Sequence, residues 1–469
     1  MSLFGSDDPR PVHFVGVAGA GMTALAELFV RRGVSVTGCD AHADGAADVR
    51  ALGVRVLQGH DPSHVANARA VVYTSAIESG HPELAHARAL GIPVMRRAEA
   101  LAESVRDGRL IAVAGTHGKS TTTVMVAEAL ASAGMNPTAL VGARIPSWNG
   151  NLRRGGMDVF VAEADEYDRS FLTLDPETAI ITNVEADHLD IYRDLDDIRD
   201  AFAEFAERAR YVVLCADDAG ANSLPLPPSA EILRYGVTSP DARLVARDIR
   251  ADMEGVSFGV VFDGDDIGRV RIPLPGTHNV RNALAAVGSG LLWGATLEQL
   301  ASGLEQMTGA ERRFQRLGDG GGVTVIDDYA HHPTEIRATL TAARARYPER
   351  RLVAVFQPHL FTRTRDLATE FGSALAEADV IVLLEIYAAR EDPIEGVTAG
   401  LVADAVGRAG GRVSWRGERD DAAGAIVNLI RPGDVVLTLG AGDITKTGPE
   451  VLQRLGPKGQ RADGPEGTA

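Results

Sequence analysis

Residues 109–132 read RLIAVAGTHGKSTTTVMVAEALAS, and no other segment restricts the architecture as tightly. An apolar run leads directly into a Gly-rich polar loop, and the loop opens into a helix-compatible stretch. Strand, tight loop and helix in that order form the first half of a βαβ unit, which requires a parallel sheet covered by helices. Within the segment, GTHGKSTTT (115–123) is built to hold phosphate. Backbone N–H groups of such a loop point at phosphate oxygens, Lys119 supplies a point charge, and Ser120 offers a hydroxyl to Mg2+. The glycine spacing is compressed to Gly115-x-x-Gly118-Lys119-Ser120, with Val113 where the eight-residue form carries glycine. Of 47 basic side chains only Lys119, Lys446 and Lys458 are lysines. Arginine is therefore the default cation here, and Lys119 stands out. The motif predicts an ATP site.

The same rhythm recurs on both sides of it. VHFVGV (12–17), SVTGCD (35–40) and AVVYTSAI (70–77) read as short buried strands, with a helix from Met22 to Arg32 stopped by Gly33. After the phosphate loop come DVFVAEAD (158–165), TAIITNVEADH (178–188) and YVVLCADD (211–218), then Gly-punctuated, β-branched sequence over about 240–275 that suggests a small antiparallel insertion. A third series follows in VTVIDDYA (323–330), RLVAVFQP (351–358), DVIVLLEIY (379–387) and DVVLTLGAG (434–442). With 469 residues, about three domains are expected. The boundaries predicted are 1–108, 109–311 and 312–456, followed by a Gly/Pro-rich tail, 457–469, expected to be disordered. The fold class is α/β: a Rossmann-like first domain, a central ATPase domain on a mixed sheet with the antiparallel part, and a Rossmann-like third domain.

Other clusters fall at strand ends. GVAGAG (16–21) has a dinucleotide-type turn with Ala18 in place of the second glycine, and Asp40 ends the next strand. A nucleotide phosphate at the helix N-terminus, a ligand-free turn, and NAD chemistry are the three readings of it. Glu163, Asp165, Glu166 and Asp168 follow one strand; Asn183, Glu185, Asp187, His188 and Asp190 follow the next. Carboxylates with a hydroxyl and an imidazole can complete an oxygen-rich magnesium shell, and two such clusters beside a phosphate loop make a merely solvated acidic loop a poor alternative. Asn279 and Asn282 share a helix face after His278, suited to a heterocycle edge or to simple capping. DDYAHHPTE (327–335) and QPHLFTRTRD (357–366) bring Asp328, Tyr329, His331, His332, His359, Arg363 and Arg365 to further strand ends, a set that suits a carboxylate substrate better than zinc.

Charge and cysteine content exclude other classes. A net charge of −17 argues against general nucleic-acid or acidic-membrane affinity. Cys39 and Cys215 lie far apart and make no metal-ligand or disulfide framework, and no segment reads as a signal peptide or membrane span, so a cytoplasmic protein is expected.

Taken in order, GVAGAGM, GTHGKSTT, EADEYDRSF, TNVEADHLD, GTHNVRNALAA, RRF, DDYAHHPTE and QPHLFTRTRDL resemble the Mur ligase family from about residue 12 to 450. The resemblance implies ATP-dependent joining of L-alanine to the lactyl carboxylate of UDP-N-acetylmuramic acid through an acyl phosphate. It assigns the UDP-sugar to Gly16, Gly19, Gly21, Met22, Asp40 and Ser75. ATP goes to Gly115, Thr116, His117, Gly118, Lys119, Ser120, Thr121, His278, Asn279, Asn282, Arg313 and Asp328. Magnesium goes to Ser120, Glu163 and His188, with two ions expected, and L-alanine to Tyr329, His331, His359 and Arg363. Lys119, Glu163, His188, His331 and Arg363 would carry the chemistry, His331 as a candidate base. Some relatives bridge their ions with a carbamylated lysine; here no lysine lies between 119 and 446, which leaves that place to His188. Leu360 stands where some members carry Arg, shifting the amino-acid carboxylate to Arg363. A monomer or homodimer is expected. The rival readings are a nucleotide-binding regulator without ligase turnover and an NAD-dependent oxidoreductase.

Overall fold

The structure is a computed structural model that describes residues 3–4, 8–188, 191–389 and 391–456. Asp190, Lys458 and the predicted tail lie outside the described residues. Among the described residues, three sheets organise the chain. The first is wholly parallel, in the spatial order Arg55–Gln58, Val36–Asp40, Val12–Val15, Ala70–Tyr73, Val94–Arg96. Alternation sets its two faces. Val12 and Phe14 join the core that includes the helix Ala20–Arg31. Val15 and Cys39 pack on the other side with Val65, Leu84 and Ala87. The N-terminal strand order reverses beside Val12–Val15, the topology that places a ligand crevice at the carboxyl ends of the strands.

The second sheet has ten strands. Its parallel centre sets Arg109–Ala114 between Thr178–Ile181 and Val159–Glu163, so that Ile181 pairs with Ala114 and Glu163 with Val113. That register delivers both acidic strand ends to the phosphate loop. The hairpin of Thr138–Ile145 with Gly150–Arg153 closes one edge. At the other edge, Leu244–Ala251, Val256–Phe262 and Asp265–Ile272 follow one another in space. The turn Asp263–Gly264 has both residues at positive φ (51° and 93°), the geometry of a two-residue hairpin, which joins antiparallel strands only. The expected antiparallel insertion is therefore present.

The third sheet runs Gln315–Gly320, Val323–Asp328, Val435–Leu439, Leu352–Phe356, Val380–Leu384, Val413–Gly417, antiparallel at its first pair and parallel thereafter. Its four central strands are buried throughout. The described residues divide into two compact units: most of those up to 310 in one, and in the other those from 311 to 456 with Arg250–Val256 and Leu274–His278. Among the described residues no helix is long and apolar enough to cross a membrane.

Candidate active site

The phosphate loop is shaped by two glycines. Gly115 (φ +137°) lies where a Cβ would sit 2.0 Å from Thr182 Oγ1, and Gly118 (φ +83°) where a Cβ would sit 2.9 Å from Asn282 Oδ1. Neither position accepts a side chain without displacing its neighbour. Polar groups just past the strand Thr178–Ile181 then fix the loop. The His117 N–H donates to Asn183 Oδ1 (2.7 Å), Asn183 Nδ2 donates to the His117 carbonyl (3.0 Å), and the Glu185 N–H donates to Thr116 Oγ1 (2.9 Å). Thr121 is buried one residue after Ser120, on the first turn of the helix Lys119–Ser132.

Two carboxylates meet that first turn. Ser120 Oγ donates to Glu163 (3.0 and 3.1 Å), which also accepts the Gly142 N–H at 2.7 Å. Lys119 Nζ donates to both oxygens of Glu166 (2.8 and 2.9 Å) and to the Gly115 carbonyl (2.8 Å). Burial opposes the Lys119 charge, but Glu166 and Asp165 outweigh it and raise the ammonium's pKa. Burial likewise pushes the Glu166 carboxyl up to about 7, against the pull of Lys119. His188, at φ +54°, stands 3.7 Å from Glu166 Oε1 and packs edge-on against Tyr167. The four clustered carboxylates thus separate: Glu163 to the hydroxyl, Glu166 to the lysine, Asp165 to a cleft, and Asp168 to Arg96 at 2.8 Å. A hydroxyl paired with a carboxylate is a fit donor set for magnesium, and an imidazole beside a second carboxylate is compatible with another ion.

The cleft, of about 240 Å3, joins the glycine turn to these acids. Gly19, Gly21, Met22, Thr74 and Ser75 line it on one side, Glu163 and Asp165 on the other, with Arg97 among them. Gly16 (φ +81°) leaves room for Thr74, and Gly19 caps the helix Ala20–Arg31. Met22 is otherwise a core residue, 1% exposed. Each oxygen of Asp40 already accepts one N–H, from Ala18 (2.9 Å) and from His42 (2.8 Å), so this carboxylate also closes the turn. Arg97 was not singled out by the sequence. Its guanidinium lies 3.1–3.4 Å from where a Gly21 Cβ would stand, and it brings a planar cation to the cleft. The only sequence signal was its place at the break between Val94–Arg96 and the following helix.

Asn279 and Asn282 do share a face: Asn282 Nδ2 donates to Asn279 Oδ1 at 3.2 Å. His278 falls in the other compact unit, its ring against Gly276. Arg313, Asp328, Tyr329, His331, His359 and Arg363 also belong to that unit. There the rings of Tyr329 and His331 are 5.1 Å apart, those of His331 and His359 6.2 Å, and His359 stacks on Tyr387 at 5.8 Å. Arg312 and Arg313 lie over the Tyr329 ring. His331 Nδ1 is 3.0 Å from the Tyr329 carbonyl and 3.2 Å from Glu335. Asp328 accepts the N–H groups of Phe314 and Ala330, both at 2.8 Å, and burial pushes its carboxyl up to about 6. Arg363 is buried on the first turn of Phe361–Leu375.

Comparison with known proteins fits this layout. The model of the Mur ligase family catalytic domain matches residues 11–109, that of the Mur ligase middle domain 113–290, and that of the Mur ligase glutamate ligase domain 312–442. The chain is 42% identical to the UDP-N-acetylmuramate–L-alanine ligase of Salinibacter ruber over 95% of both proteins. It is 45% identical to that of Acidothermus cellulolyticus over 94% of both. The crystal structure of UDP-N-acetylmuramate–alanine ligase from Thermotoga maritima superposes with a TM-score of 0.81 at 28% identity, covering 95% of this chain and 99% of that one. A murein peptide ligase of Psychrobacter arcticus gives 0.69 at 25% identity, over 95% and 98%.

Proposed function

The chain belongs to the Mur ligase family, and on that premise we propose that it joins L-alanine to the lactyl carboxylate of UDP-N-acetylmuramic acid, consuming ATP, as the first amino-acid addition to a peptidoglycan precursor. Its end-to-end likeness to alanine-adding relatives carries the substrate reading. The paired contacts of Lys119 with Glu166 and of Ser120 with Glu163 support the chemistry.

A carboxylate does not acylate an amine in water, because its leaving group would be oxide. Phosphoryl transfer from ATP makes it an acyl phosphate, the amine of L-alanine attacks the carbonyl, and the tetrahedral intermediate expels phosphate. The first step needs positioning and charge neutralisation above all. The loop amides from Gly115 to Thr121 and the Lys119 ammonium would hold the β- and γ-phosphates, with Glu166 handing that ammonium over. Ser120 and Glu163 would hold one Mg2+ and His188 a second. Magnesium supplies neutralisation of the phosphate oxygens when bound. Thr116 and His117 hold the loop's shape, and Asn279 and Asn282 would take the adenine edge. From the other unit His278, Arg313 and Asp328 would contribute to ATP, and Tyr329, His331, His359 and Arg363 to L-alanine, with His331 taking the ammonium proton. Gly16, Gly19, Gly21, Met22, Asp40 and Ser75 would hold the UDP-sugar.

In this reading the domains are 1–108, 109–311 and 312–456, and the protein works in the cytoplasm as a monomer or homodimer on small molecules, without nucleic acid. The test is phosphate release from ATP with Mg2+ and UDP-N-acetylmuramate, with and without L-alanine. Release that requires both substrates is expected. Turnover with a murein tripeptide in place of L-alanine would reassign the chain to peptide recycling, and ATP binding without amino-acid-dependent turnover would make it a regulator.

A further inference from the structure

On the face of the first sheet opposite the helix Ala20–Arg31, side chains from four separate elements converge. His13 comes from Val12–Val15, Cys39 from Val36–Asp40, His64 from the short turn Pro62–Val65, and Glu83 from the helix Pro82–Ala89. One donor atom from each lies within 4.8 Å of all the others. Cys39 Sγ is 3.4 Å from His13 Nε2 and 3.2 Å from Glu83 Oε1, and His64 Nδ1 is 2.9 Å from that same oxygen. His13, Cys39 and Glu83 are fully buried. Thr37 Oγ1, 2.9 Å from His13 Nδ1, orients the ring so that Nε2 faces the sulfur. This is the outer-shell arrangement that fixes a ligating imidazole. Around zinc, with Zn–S of about 2.3 Å and Zn–N of about 2.0–2.1 Å, tetrahedral donors stand roughly 3.3–3.6 Å apart. The spacings of Cys39 Sγ to His13 Nε2 and to Glu83 Oε1, 3.4 and 3.2 Å, are close to those edges, and the remaining donor pairs lie within 4.8 Å.

We propose that His13, Cys39, His64 and Glu83 form a structural site for a borderline-soft dication, zinc above all, in the nucleotide-sugar domain. One thiolate, two imidazoles and one carboxylate select such an ion over magnesium. Four protein donors would fill a tetrahedral shell, as expected of a structural site. His60 and His81, more exposed, flank Glu83, with His60 Nδ1 3.1 Å from its second oxygen. The metal takes the place of the Cys39 proton, which leaves to solvent. It would pin the ends of two strands next to Asp40, whose carboxylate closes the glycine turn. The alternative is a polar knot around the buried Glu83, which also accepts the Asp61 N–H at 3.0 Å. The proposal is independent of which reaction the chain catalyses.

Tag-free full-length protein, stripped with chelator and kept in excess Mg2+, is titrated with Co2+ and, separately, with Zn2+. One equivalent is expected, with a thiolate-to-cobalt charge-transfer band in the near ultraviolet and tetrahedral d–d bands in the visible. Cys39→Ser should abolish the charge-transfer band. His64→Gln, at the wetter edge of the cluster, should weaken binding at least tenfold and erase the rise in melting temperature that Zn2+ gives the parent. Glu163→Ala should leave the stoichiometry unchanged. Absence of the band from the parent, or its survival in Cys39→Ser, overturns the site. Should Cys39→Ser fail to fold, His64→Gln decides: parent-like affinity in it also overturns the site.

Discussion

Glu166 is buried and Lys119 largely so, and each is the other's counter-charge. Truncating the lysine would remove the cation proposed to neutralise the transferring phosphate, and it would leave a carboxyl already pushed up to about 7 free to take a proton. The fold therefore survives while the chemistry does not. Lys119→Ala should lose at least a hundredfold in ATP turnover, an effect of ~3 kcal/mol on the transition state, with an unchanged circular dichroism spectrum. Near-parent turnover would remove the phosphate-loop assignment. That this lysine stands apart was legible, because arginine fills almost every other basic position. Which of four neighbouring carboxylates it meets was not. That choice is made by the turn Tyr167–Thr173, where Asp168 and Arg169 both adopt left-handed backbone (φ 55° and 53°), and nothing in residue identity announces it. Arg97 was missed for a similar reason: it faces Gly21 only after strand and helix have packed.

Elements were legible in proportion to how completely they are buried. The central strands are continuous apolar runs, and most are present in shortened form: the expected run 178–188 is a strand only over Thr178–Ile181, and the rest is the polar turn that reaches the phosphate loop. Arg55–Gln58, Gln315–Gly320 and Val413–Gly417 escaped notice because, half exposed at sheet edges, they carry no apolar run. Contacts between elements were legible least of all. Asp217, just past Tyr211–Cys215, accepts the N–H groups of Val237, Thr238 and Ser239 and an Arg281 Nε–H at 2.8 Å, tying that strand to the next turn and to the helix Thr277–Leu292. Burial opposes its charge, yet Arg281 and the three amides win and bring the carboxyl down from 3.8 to about 2. The folded state thus holds the ionised form more strongly than the unfolded state does. Its contribution, roughly 2 kcal/mol, is present above about pH 4 and is lost as pH falls toward 2. Asp217→Asn should therefore lower the melting temperature at pH 7 and flatten its decline over that acid window. A parallel decline in both proteins would show that the carboxylate's charge is not what joins these elements.

Across the whole molecule the residues proposed for the chemistry are divided between the two compact units. The glycine turn, the cleft and the phosphate loop with its acids lie in one; Tyr329, His331, His359 and Arg363 lie in the other. Leu360 is buried at φ +71° just before Arg363's helix, and in the proposed reading the amino-acid carboxylate falls to Arg363. If the division holds, the two substrates' apparent affinities separate under mutation. Arg363→Ala should raise the KM for L-alanine by about ten- to a hundredfold, the ~1.5–3 kcal/mol of a charge-assisted hydrogen bond, and leave the KM for UDP-N-acetylmuramate nearly unchanged. Arg363→Lys should recover little, because an ammonium cannot reproduce the two-pronged guanidinium geometry. Steady-state kinetics with each substrate varied in turn decides between the readings. A rise confined to L-alanine places its carboxylate at Arg363, whereas an equal rise in both KM values means that this arginine serves the assembly of the two units rather than one substrate.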